Sequence, residues 1–195
     1  MTTFKSLWTA IALILVSGLA AAPALAQKVI VVNQERVLVE SAAGIDMATK
    51  LTGIADQMSR ELEPNATQLQ TLGDTLSART ANMSVEAQRA DAGIMAQRQD
   101  YTEKLNALGR EDQRRQVELA QTQERALIAF GTALKPVLEQ VMAERGAEVL
   151  LSENEGVILA TGAADVTDLV ISKMNSSAPT IQVVRVRLPD QPQQQ

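Results

Sequence analysis

From about Ile45 to Arg145 the chain carries only two prolines, Pro64 and Pro136, that could stop a helix. Within that stretch Leu51, Ala55, Met58, Leu62, Asn65, Leu69, Leu72, Leu76, Arg79 and Met83 step by four and three in alternation. This is the spacing of a helix that packs one narrow stripe against another helix. Asn65 and Arg79 are polar breaks in the stripe. "TANMS" at 80–84 then gives a turn signal, and Ser84 is a good N-cap for a second helix beginning "VEAQ". On that helix Ala87, Ala90, Ile94, Gln97, Tyr101, Leu105 and Leu108 continue the three–four spacing. Two long helices joined by a short turn pack antiparallel as a hairpin. At 1.5 Å per residue, the stretch 84–135 alone would span roughly 75 Å. A chain of 195 residues cannot wrap that length in a globule. The spacing therefore predicts an arm over 44–145, with its tip near 80–84, projecting from a small body.

The rest of the chain supplies the body. "KVIVVN" (28–33) is a short Val/Ile run of the buried-strand kind. "AEVLLS" (147–152) and "GVILA" (156–160) read as two more strands, with "ENEG" as a hairpin-like turn. "DVTDLVISKMN" (165–175) reads as an amphipathic helix with Asp165 as N-cap and Asp168 at the third helical position. "IQVVRVRL" (181–188) alternates in part and reads as an edge strand with no assigned role. The body is thus expected over 27–43 and 146–190, and 191–195 is a polar tail. Strands on both sides of the hairpin bring the chain ends together at its base. The fold class is α+β, mostly α.

Residues 1–26 stand apart. Lys5 precedes an apolar run from Leu7 to Ala22, and "ALA" at 24–26 is a small-x-small cleavage signal. About sixteen apolar residues fall short of the roughly twenty that a bilayer span needs. The expectation is an export signal, with a mature chain beginning at Gln27. Phe4 and Trp8 would leave with it, so Tyr101 and Phe130 would be the mature aromatics. A core of Ala, Leu, Val, Ile and Met follows, which favours elongated helical packing.

Composition excludes several function classes. The chain has no Cys and no His. That removes disulfides, the commonest general base and the commonest metal ligand. No S-x-x-K, G-x-S-x-G or phosphate-loop pattern is present. Glu153 and Glu155 read as a solvated turn rather than a catalytic pair. Neither an enzyme nor a cofactor is expected. Without Lys5 the chain holds 17 basic and 23 acidic residues, which gives no electrostatic footprint for nucleic acid.

Two details concern the arm itself. Gly53, Gly73, Gly93 and Gly109 fall inside the predicted helices, each about 1 kcal/mol worse than Ala there. Pro64 predicts a kink near Glu61–Pro64, and Pro136 the first residue of a restarted helix segment. Arg110, Arg114 and Arg115 beside Glu111, Asp112 and Glu118 read as exposed helix-surface pairs worth tenths of a kcal/mol.

"VIVVNQERVLVESAAG", "IMAQRQDYTEKL", "REDQRRQVE" and "KPVLEQVMAERGAEVLLSENEGVILATGAADVTDLVISKMN" resemble the Skp/OmpH family of periplasmic chaperones for outer-membrane proteins. The likeness covers roughly 28–175. It rests on the order of signal, strand, hairpin, strands and helix rather than on one motif. It implies a jellyfish-shaped homotrimer with a barrel-like β-body and three helical arms around a cavity. Unfolded β-barrel precursors would be held there without ATP until membrane insertion. Met58, Leu69, Leu72, Leu76, Met83, Ile94, Met95, Tyr101 and Leu108 are the candidate client contacts on the arm faces. Met58 and Met83 serve equally as seam fillers, whereas Met95 lies off the seam. Methionine adapts to partners of varied sequence. Val29, Ile30, Val31, Val32, Val149, Leu150, Leu151, Val157, Ile158 and Leu159 are the candidate intersubunit contacts, because a small sheet with exposed edges invites pairing. The best-known members of the family are strongly basic. Here residues 44–145 hold 12 basic and 15 acidic side chains, which argues against capture of anionic lipid or lipopolysaccharide. The competing reading is a structural coiled-coil scaffold of the cell envelope.

Overall fold

The computed structural model describes residues 28–153 and 162–189. The export signal, the strand expected over 156–160 with Val157, Ile158 and Leu159, and the tail lie outside the described residues. The order of elements is β1 (Val29–Val32), α1 (Gln34–Glu40), α2 (Ala42–Thr80), α3 (Val85–Ala90), α4 (Ala92–Arg145), β2 (Val149–Ser152) and α5 (Thr167–Ser177).

β1 and β2 pair in parallel, with Val29 opposite Val149 and Val32 opposite Ser152. A parallel pair needs a long crossover, and the whole helical hairpin is that crossover. On its other side β1 is bridged by Asp165, through Val31 N–H to the Ala164 carbonyl and Val166 N–H to the Val31 carbonyl. Strand alternation sends Ile30 and Val32 into the core. There they meet Val37 of α1, Met47 of α2, and Val166, Val170 and Met174 at and along α5. α4 supplies Ala126, Phe130, Leu134, Val137 and Val141 to the same core at helical spacing. The apolar stretch of α4, long enough by composition to cross a membrane, thus lies with one face in this core.

Caps and close approaches fix the joints. Asn33 caps α1 by accepting from Arg36 N–H at 2.8 Å, and its own N–H donates to Thr167 Oγ1 of α5 at 2.9 Å. Residues 34–51 form two helical segments rather than one. The break is at the fully buried Ser41, whose hydroxyl accepts from Gly44 N–H and caps α2. A Cβ on Gly44 would stand 1.6 Å from the Leu38 carbonyl oxygen, so only glycine permits the turn between α1 and α2. α4 ends at Gly146, at φ 59° in the left-handed region, with N–H bonds back to Ala143 and Met142. α5 begins one residue later than expected, with Val166 at the cap position. Asp165 does not cap it in the usual way; its carboxylate accepts from both Thr167 N–H and Thr167 Oγ1.

Both arm helices run unbroken through their prolines. α2 continues through Pro64, where the sequence predicts a kink, and α4 continues through Pro136 without the expected restart. Each proline is on the exposed side of its helix, as are Arg60 and Thr132 four residues earlier. The carbonyls that lose a partner there face water. α4 has 54 residues and is roughly 80 Å long.

The largest departure is at the C-terminal end. Residues 181–188 do not form an edge strand. They leave the body and lie extended along the arms as a strap. Ile181 sits in the core, and Val186 is buried further out.

Candidate functional site

The hairpin has three levels with different chemistry. At the tip, Ser84 caps α3 as expected, accepting from Ala87 N–H at 3.2 Å. That helix lasts only six residues. Asp91 then caps α4, accepting from Ile94 N–H at 3.0 Å. Arg79 reaches from α2 to Asp91 at 3.4 Å and to Gln97 at 3.2 Å. The Gln88 amide closes the turn on the carbonyls of Thr80 and Met83. Hydrogen bonding by Ile94 N–H holds the Asp91 carboxyl below its usual range.

Along the arm Met58, Leu69 and Ile94 are buried, so these members of the proposed contact set are covered in the protomer. Leu72, Leu76, Met83, Tyr101 and Leu108 are half-buried, and Met95 is exposed. Leu105, expected in the seam, is 47 % exposed. The seam on α4 steps through Gln97, Tyr101, Lys104, Leu108, Glu111, Arg115 and Glu118. That strict three–four alternation puts Lys104 inward, on its apolar stem, and turns Leu105 out. Gly73 lies under the Tyr101 ring, where an added Cβ would stand 3.2 Å from Cε2. An open space of about 290 Å³ lined by Asn65, Gln68, Lys104, Ala107, Leu108 and Glu111 interrupts the packing at mid-arm. Near the tip, Met95 lines a shallow hollow of about 770 Å³ with Arg89, Arg98, Thr102 and Glu103.

The third level is where the strap crosses both arms. Arg185 forms a bidentate pair with Glu61 of α2 at 2.7 and 3.0 Å and reaches Glu118 of α4 at 3.2 Å. Glu118 also meets Arg115 at 3.1 Å, and Arg115 meets Glu111 at 2.7 Å and Glu61 at 3.3 Å. Glu118 is 1 % exposed and the Arg185 side chain 8 %. Of the group read as exposed surface pairs, Arg110 and Asp112 are exposed, Glu111, Arg114 and Arg115 are half-buried, and Glu118 is buried and bonded to the strap. Strap backbone is bound too: Val186 N–H donates to Thr122 Oγ1 at 3.0 Å, and Leu188 N–H to Glu118 Oε1 at 3.0 Å. Nearer the body, Ile181 N–H donates to Asp46 at 2.9 Å, and Lys50 donates to the Ile181 carbonyl at 2.8 Å. Burial pushes the Glu118 carboxyl up, yet the Leu188 N–H, Arg185 and Arg115 outweigh it and hold it below its usual range. The bond from Arg185 likewise lowers Glu61.

The sequence held one unused signal for this level. Glu118 and Thr122 continue, at steps of four, the buried stripe of Ala126, Phe130 and Leu134. A polar extension of a core stripe marks covered polar groups that need partners.

In the body, the residues proposed for intersubunit contact divide. Ile30 and Val32 are fully buried and Val31 is 6 % exposed, so these three are covered within the protomer. Val29, Val149 and Leu151 are exposed, and Leu150 is half-buried. Among the described residues, no three acidic, Cys or His side chains are grouped to hold a metal.

Strand, helical arm, strand and short helix follow in the order the sequence anticipated, and the parallel pairing of the two strands is added by the structure. The family described as outer membrane protein (OmpH-like) matches residues 28–174. The chain belongs to the OmpH-like family. A crystal structure from Caulobacter crescentus CB15, described as an OmpH-like outer membrane chaperone, superposes with a TM-score of 0.73 and 28 % identity. The superposition covers 87 % of this chain and 96 % of that one. No curated protein sequence matches. The OmpH-like match ends at residue 174, short of the strap at 181–188.

Proposed function

We propose that this OmpH-like protein is an ATP-independent periplasmic holdase for unfolded outer-membrane β-barrel proteins. The family match over 28–174 carries the reading, and the Caulobacter structure described as a chaperone agrees with it. The arm is built for weak, many-point contact. Exposed Val85, Met95, Leu105 and Val117 are spread along it between polar residues, and the hollow beside Met95 is shallow and open. Scattered apolar contact of this kind suits clients of varied sequence. We assign Met95 and Leu105 as the leading contacts, with Leu72, Leu76, Met83, Tyr101 and Leu108 partly available. The function needs no nucleotide, in keeping with a chain that carries no phosphate-loop pattern.

Self-association into a trimer completes a cavity between arms. The exposed Val29, Val149 and Leu151, on a sheet of two strands among the described residues, support it, since a small sheet gains from pairing with another chain. Export by the 1–26 segment places the protein with its clients.

The test is dilution of a denatured outer-membrane barrel into buffer containing the purified protein, followed by light scattering. Suppression at stoichiometric ratio without nucleotide is expected; unchanged scattering sinks the reading. Size-exclusion with in-line scattering should return three times the protomer mass, and a monomer would remove the cavity.

A further inference from the structure

The strap is bound in a way that reads backbone more than side chain. Asp46, Thr122 and Glu118 each accept an N–H from it, at Ile181, Val186 and Leu188. These acceptors belong to α2 and α4 and follow one another along the arm from the body outward. The only side chain the arms grip by charge is Arg185, held between Glu61 and Glu118. Val186 is buried while Val184 is 64 % exposed. The arms thus hold an extended segment of alternating aliphatic and cationic residues, through acceptors that most extended sequences could satisfy. With the strap absent, the Glu118 side chain would lose two of its three kinds of partner and keep only Arg115, which leaves a carboxylate open to another N–H or cation.

We propose that the α2–α4 groove at Glu61, Glu118 and Thr122 is a binding site for extended client segments, and that residues 182–188 are its built-in occupant, displaced when a client binds. This rests on the holdase reading and adds to it a site and a control. The occupant the site takes in exchange is an unfolded strand with aliphatic residues around an arginine, matching the "VVRVRL" it already holds. Tethering makes the strap a strong competitor at low client concentration, and Ile181 stays anchored in the core, so release is local and reversible.

The experiment uses the full-length purified protein and a fluorescein-labelled peptide IQVVRVRL as probe. The chain has no cysteine, so Val184→Cys takes a single spin label that reports whether the strap is seated. Arg185→Glu sets like charge against Glu61 and Glu118 and should free the label. In that background the peptide should bind at least tenfold tighter than to the wild-type chain. Adding Glu118→Gln should weaken it at least fivefold, and a peptide with glutamate at its arginine position should not bind. Val186→Pro, which removes the N–H taken by Thr122, is an independent release of the strap and should also raise peptide affinity. A freed label with unchanged peptide affinity overturns the proposal. So does a label that neither substitution frees, because the strap is then a permanent part of the arm. A variant that takes the peptide but leaves a barrel protein to aggregate fails the holdase reading and not this one. A protein that protects the barrel but never takes the peptide fails this one alone.

Discussion

The half of the arm near the body and the half near the tip are made from the same two helices but held by different means. Near the body, α4 lays Ala126, Phe130, Leu134, Val137 and Val141 into a core shared with β1, α1 and α5, and the strap ties Glu61, Glu118 and Thr122 together. Beyond Glu118 the only fully covered seam residue on α4 is Ile94, near the tip. Between them the packing opens at Asn65 and Leu108. The lesson is that a heptad stripe specifies that two helices pair, while the depth of what stands behind the stripe decides how firmly. Segments with few buried contacts open at low free-energy cost, and the proposed function would draw on that division.

The comparison can be broken most forcefully by deleting one aromatic from each half. Phe130→Ala removes a ring that is 5 % exposed in the core and should lower stability by about 4 kcal/mol. Tyr101→Ala removes a half-buried ring over Gly73 and should lower it by less than half as much. Equilibrium denaturation of both variants checks this, and equal losses would mean the distal seam is as deep as the core.

The strap junction comes next. Arg185→Ala leaves Glu118 buried with one cation fewer, at a cost of about 3 kcal/mol. The pH dependence has a definite sign. Glu118 and Glu61 titrate lower in the folded chain than in the unfolded one. Their contribution is complete above the unfolded carboxyl value of about 4.5 and is lost as pH falls through the folded values. Glu111, Arg115 and Arg185 face the same carboxylates, and the two arginines stay charged throughout. Protection from amide exchange at Val186 and Leu188, taken relative to the intrinsic rate at each pH, should therefore fall on acidification below that point, while Val137 and Val141 stay protected. Simultaneous loss would show that strap and core open together.

What the sequence made legible follows from how local each signal is. The hairpin, its tip and the Ser84 cap are set by spacings of three, four and one turn, so they could be read directly. Leu105 was misplaced by one position, because an apolar residue beside a lysine attracts the stripe, yet strict three–four stepping from Tyr101 runs through Lys104. The break at Ser41 was hidden because Gly44 matters only once Leu38 comes close in space. The strap was unreadable for a stronger reason. "IQVVRVRL" has strand composition, and only partners more than sixty residues away tell an edge strand from a strap on helices. The candidate contacts on the arms were legible as a stripe but not as exposed or covered, since that depends on the register of the facing helix.

The smallest effect should be found at the tip, and it sharpens the comparison most. Ser84→Ala removes the hydroxyl that accepts from Ala87 N–H. Loss of an N-cap costs about 1 kcal/mol, which is about a fivefold change in an opening equilibrium. α3 has no buried residue, so nothing couples its opening to the body. Amide exchange should therefore quicken about fivefold within 85–90 while the midpoint of global unfolding stays unchanged. If the midpoint falls by the full amount, the tip unfolds together with the core, and the arm is one cooperative unit from end to end.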